Sequence, residues 1–130
     1  KPRNQSTFFV ASNTAFGISG QATEVEASGD FQLSDINMTM SMRIFENGVF
    51  GANAQDPQGT FNQPGNLGAM NNPTTLYTGT RQTAASDGSI SQQSVRFMMN
   101  HVLDTPNNRV DLSDGYGEIK AEVVYTVYVL

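Results

Sequence analysis

Apolar and polar positions alternate most clearly from Ile36 to Ile44. Ile36, Met38, Met40, Met42 and Ile44 lie on one parity, and Asn37, Thr39, Ser41 and Arg43 on the other. Nine residues of period 2 predict a strand with one buried and one wet face. Upstream, Phe31 and Leu33 take the opposite parity, so a β-bulge or short break is expected near Ser34-Asp35. Asn47-Gly48 follows, flanked by Phe45 and by Val49-Phe50. Asn-Gly between apolar runs is a strong hairpin signal, because a type I′ turn needs φ > 0 at both central residues.

The chain ends on a second alternating run. Ile119, Ala121, Val123, Tyr125, Val127 and Val129 share one parity. Lys120 and Glu122 open the other face, which continues as Val124, Thr126, Tyr128 and Leu130. Such a strand is one-sided at its start and apolar on both faces at its end, so it is expected to be central or covered. Asp114-Gly115-Tyr116-Gly117 before it reads as a turn. Fainter strands are expected at Thr7–Ala11, Ala15–Ser19, Ala22–Ala27 (ended by Ser28-Gly29-Asp30) and Thr74–Thr80. Phe8, Val10, Phe16 and Ile18 share an even-numbered inward parity.

Ser94–Asp104 fits two patterns. Val95, Met98, Met99, Val102 and Leu103 suit a helical face, with Ser89 and Gln92 as a capping box. Val95, Phe97, Met99 and Leu103 suit a strand, and the β surroundings favour the strand. Pro106-Asn107-Asn108 ends either element. From Gly51 to Pro73 the period disappears, and 15 of these 23 residues are Gly, Pro, Asn or Gln. A connection this long is functional, interfacial or disordered. Phe61, Leu67 and Met70 argue against a wholly solvated loop.

Length and composition sharpen this picture. The 130 residues suit one β domain, 1–130, with 51–73 as a long loop. Charged residues are 15% of the chain, and 12 Asn, 9 Gln, 12 Thr and 11 Ser supply the polar faces instead. The expected fold is all-β: a single antiparallel sandwich, immunoglobulin-like or jelly-roll-like, with room for a strand from a neighbouring subunit. The net charge of −5 and only seven cations disfavour nucleic acid as a partner. No apolar run is long enough to span a membrane. The first residues are Lys1-Pro2-Arg3, with no visible secretory signal. Either a leader has been removed or the numbering starts within a longer product. The Asn-, Gln- and Thr-rich, Cys-free composition suggests an extracellular or virion location.

Candidate chemistry is sparse. There is no Cys, which excludes disulfides, thiolate nucleophiles and cysteine zinc sites. His101, the only imidazole, lies in an apolar stretch where a structural histidine is the commoner case. No G-x-S-x-G elbow, phosphate loop or dinucleotide fingerprint is present. The carboxylates are dispersed. Asp111, Asp114 and Glu118 flank a Gly-rich turn without the spacing of a calcium loop. The methionine stripe reads as core packing. Without Trp, the aromatic residues make a weak case for sugar or base stacking. No catalytic, cofactor or metal residues are expected, and the chain is not expected to be an enzyme.

What remains is a β protein whose long strands carry almost no charge. Edge strands are ordinarily protected by Lys, Pro or short length, and this chain has two Lys. An open edge at Val123–Leu130 would invite aggregation unless a partner, such as another copy, covers it.

Three segments are together similar to the end of a chaperone–usher pilus subunit of the cysteine-free enterobacterial class. They are Ser94-Val95-Arg96-Phe97-Met98-Met99, Val110-Asp111-Leu112-Ser113-Asp114-Gly115-Tyr116 and the terminal alternating strand. Phe8-Phe9-Val10-Ala11-Ser12-Asn13 resembles a pilin strand opening. The resemblance covers about a third of the chain. It implies an incomplete immunoglobulin-like sandwich, completed by a neighbour's N-terminal segment and delivered by a secretion chaperone. Only Lys1–Ser6 precedes the first strand, so Thr7–Ser19 itself would have to be the donor. The expected subunit interface is Phe8, Val10, Phe16, Ile18, Tyr125, Val127 and Val129. The expected function is an extracellular structural subunit that assembles by strand addition or edge pairing into a pilus-like fibre. A virion capsid or decoration protein is one alternative, and a carbohydrate-binding adhesin using the 51–73 loop is another.

Overall fold

The chain forms two antiparallel four-stranded sheets packed face to face. The computed structural model describes residues 3–27, 34, 36–44, 54–84, 93–103 and 119–130. One sheet has the order β1-β7-β3-β5, from Arg3–Val10, Val95–Leu103, Ile36–Ile44 and Gly65–Asn66. The other has the order β4-β6-β2-β8, from Thr60–Phe61, Thr74–Thr78, Phe16–Ala27 and Ile119–Val129. The all-β sandwich expected from the sequence is the fold observed.

Alternation places the side chains. On β3, Met38 and Met40 are buried while Asn37 and Thr39 are exposed. The strand expected within Ser94–Asp104 is observed over Val95–Leu103, because β7 is the central partner of both β1 and β3. A strand paired on both sides buries its backbone polar groups in ladders and its side chains on both faces. Val95, Phe97 and Met99 therefore face the core, and Met98 is buried on the other face. The two weak segments Ala15–Ser19 and Ala22–Ala27 are one long strand, β2, with a register shift between Glu24 and Glu26. On β6, Leu76 and Tyr77 are consecutive yet both fully buried. The β2 ladder passes from Tyr77 to Thr75, and this irregularity lets both side chains turn inward.

Part of the Gly51–Pro73 stretch is ordered by its few apolar residues. Leu67 and Met70 are buried from a short 3-10 turn, Leu67–Met70, capped by the Asn66 side chain. Phe61 packs on the core from β4. The expectations at Ser28-Gly29-Asp30, Phe31, Leu33, Asn47-Gly48, the Ser89–Gln92 box, Pro106-Asn107-Asn108 and Val110–Glu118 lie outside the described residues.

The two sheets meet at Phe97. Its ring lies 5.8 Å from Phe8 in its own sheet. Across the interface it lies 6.2 Å from Phe16, 6.3 Å from Phe61 and 5.0 Å from Tyr77. Stacked and edge-on geometries of this kind add favourable quadrupole contacts to burial. Phe97→Ala is expected to cost about 3–5 kcal/mol, read as a lower denaturant midpoint. Loss below about 1 kcal/mol would show that the rings collapse onto the vacancy.

Candidate assembly surface

Among the described residues, the sandwich has one closed side and one open side. On the closed side, strands β4 and β5 are two residues each. The ladder between β3 and β5 covers only Asn37 and Met38. Beyond it, the Gln63 amide takes the place of a strand. Its oxygen accepts from the Met40 N–H at 2.8 Å, and its NH₂ donates to the Met40 carbonyl at 3.0 Å. The edge of β3 is thus satisfied by a side chain and cannot template a foreign strand at that point. Nearby, Thr80 donates to the Pro57 carbonyl and Arg81 to the Asp56 carbonyl, which ties 55–59 to the end of β6.

The open side carries two long strands. Among the described residues, β1 pairs only with β7, and β8 pairs only with β2. Of the two expectations for the last strand, central or covered, the central one is corrected: among the described residues it is the edge strand of its sheet. Apolar residues of both parities on it and directly after it stand in solvent. Val124 is 51% exposed, Val127 45%, Val129 72% and Leu130 58%. Phe9 on β1, at 47%, completes the exposed large apolar residues among those described. All five lie on β1 or β8, or directly after β8.

The two edges face each other across the sandwich. Phe8 lies 5.0 Å from Tyr125, ring centre to ring centre. The Tyr125 hydroxyl is buried, and Ser6 approaches it without completing a well-formed hydrogen bond. Burial pushes this hydroxyl up to about 12, against the weaker opposite pull of Ser6. Tyr128 covers Gly17 on the outer face of the sheet. A Cβ at Gly17 would stand 2.4 Å from the ring, so only glycine admits this packing.

The seven expected interface residues divide into two groups. Val10, Phe16 and Ile18 are 5%, 1% and 0% exposed and belong to their own chain's core. A donor role for Thr7–Ser19 requires them to leave that core for a neighbour's. Phe8, Tyr125, Val127 and Val129 come together along the open seam. By register, Val127 lies beside Ile18 and Val129 beside Phe16. Both valines thus sit on the inward parity, yet stand exposed because no described strand lies beyond β8. Phe9 escaped the parity argument because it faces outward, and the Gln63 plug has no sequence signal at all.

Among the described residues, no three His, Asp or Glu side chains come together as a metal site. No helix there is long and apolar enough to cross a membrane. His101 lies half-buried on β7, paired with Asn4 and Met38. No protein-family model, curated protein or solved structure matches the chain.

Two outcomes follow from this geometry. Gln63→Ala leaves the Met40 backbone groups without their partner and is expected to cost about 1–3 kcal/mol; an unchanged unfolding midpoint would show that water replaces the amide fully. For Tyr125 the fold favours the neutral phenol. Its contribution is complete below the ordinary value of 10.0 and is lost as pH rises through about 12. Tyr125→Phe should flatten stability over that alkaline window, in proportion to the tyrosinate absorbance that disappears. Identical alkaline unfolding curves would contradict this assignment.

Proposed function

We propose that this protein is an extracellular structural subunit that works by joining to copies of itself through the open seam of β1 and β8. The mechanism is β-strand addition: backbone hydrogen bonds extend a sheet, and apolar side chains at alternate positions make the contact specific. No bond is made or broken.

The observation that carries this reading is the asymmetry between the two sides of the sandwich. Short strands and the Gln63 amide close one side. The other presents an eight-residue strand and an eleven-residue strand with every exposed large apolar residue among those described. From Val123 to Leu130 there is no charge to deter pairing. A protein that stayed monomeric would gain from blunting this edge, as edge strands generally are. The resemblance to pilus subunits supports a fibre as the assembled form. The same composition and seam suit a virion shell, which differs in how the joints repeat.

Truncation is a poor test, because removing residues 1–19 takes Val10, Phe16 and Ile18 from the core. Substitution at the exposed edge is cleaner. Val124→Lys with Val127→Lys should leave the fold intact and lower the assembled mass, read by light scattering and electron microscopy over a concentration series. Wild-type protein that stays monomeric at high concentration would overturn the reading, and glycan binding lost on cutting the 54–73 segment would replace it with an adhesin.

A further inference from the structure

We propose that the joint is a closed two-fold pair of two copies of this chain, in which β1 of each copy lies parallel beside β8 of the other. This rests on the assembly reading and specifies its partner, symmetry and register.

The two edges left without a further strand among the described residues lie on the same side of the sandwich, since Phe8 and Tyr125 are in ring contact. They also run in the same direction. β1 ends at Val10, shortly before Ala15, and the Ala15 carbonyl accepts from the N–H of Leu130, directly after β8. A two-fold axis along the strands exchanges the two layers and preserves height. It therefore brings β1 of one copy beside β8 of the other in each layer, and joins both pairs of sheets at once. An interface of this kind is isologous and stops at two, so the pair is the building unit of the fibre or shell and its further joints lie outside this seam.

The contacts within one chain set the register. Tyr125 is level with Ser6, which faces its hydroxyl, and with Phe8, which meets its ring. The axis carries this level across, so Ser6 or Phe8 lies beside Tyr125 of the second copy. Both choices keep inward positions beside inward positions. Charge and coverage favour Ser6. That register sets Phe8 beside Val127 and Val10 beside Val129, the most exposed of the five apolar residues. It sets outward-facing Phe9 beside Tyr128. It also brings position Arg3 beside Glu122, the only acid on either strand. The other two-fold arrangement pairs β8 with β8 antiparallel. Bringing Glu122 to Lys120 there leaves Val127 and Val129 beyond the overlap.

Thr7 and Thr126 are exposed, neighbour each other in this register, and sit in a protein with no cysteine. Thr7→Cys and Thr126→Cys chains, mixed and treated with a short bis-maleimide, should give one linked pair containing one chain of each kind. Each variant alone should stay unlinked. The double variant should stop at two chains. A ladder from the double variant would overturn the closed pair and leave edge assembly standing. Linking of Thr126→Cys alone would overturn it in favour of β8 against β8. No linking, with monomeric wild-type protein, would overturn both the pair and the assembly reading.

Discussion

The fold depends on the ring of Phe97. It stands on the central strand of one sheet and meets Phe16, Phe61 and Tyr77 from the other. Two sheets with mostly polar outer faces have little else to hold them together, because charge is scarce and there is no disulfide. The aromatic contacts fix the sheet spacing, and methionines fill the remaining volume. Met38, Met40, Met70 and Met99 are all buried, and their unbranched side chains adapt to gaps that the rigid rings leave. Through Phe8 the same cluster reaches Tyr125. The core and the open seam are therefore one continuous packing unit, and what seats on the seam also bears on the core.

This continuity gives the edges their meaning. A sandwich must satisfy or protect the backbone groups at four edges. Here two are shortened to two residues, and one of those is backed by a glutamine amide that mimics a strand. The other two remain long. Among the described residues no strand covers them, valines of β8 stand exposed, and the proposed strand addition by a second copy would bury these valines. In the proposed assembly, the physics of the fold would continue across a subunit boundary.

The sandwich was legible where periodicity was strong. The Met38–Met40–Met42 alternation specified β3, and the β surroundings correctly favoured a strand at Val95–Leu103. Edge or centre was not legible for β8, because apolar residues on both faces suit a central strand and an uncovered edge equally. Only the pairing order distinguishes them. The 51–73 segment looked structureless because its order comes from isolated anchors, Phe61, Leu67 and Met70, and not from a period. Of the expected interface residues, Val127 and Val129 are exposed at the seam. Val10, Phe16 and Ile18 sit inside the chain's own core, since an inward parity is the same whether a strand completes its own sandwich or another's.

Hydrogen–deuterium exchange along β8 tests the central claim most directly. With rising concentration, amides from Glu122 to Val129 that point away from β2 should become protected, while those of β7 stay constant. Exchange at these amides that is fast and independent of concentration would contradict the seam as the site of assembly.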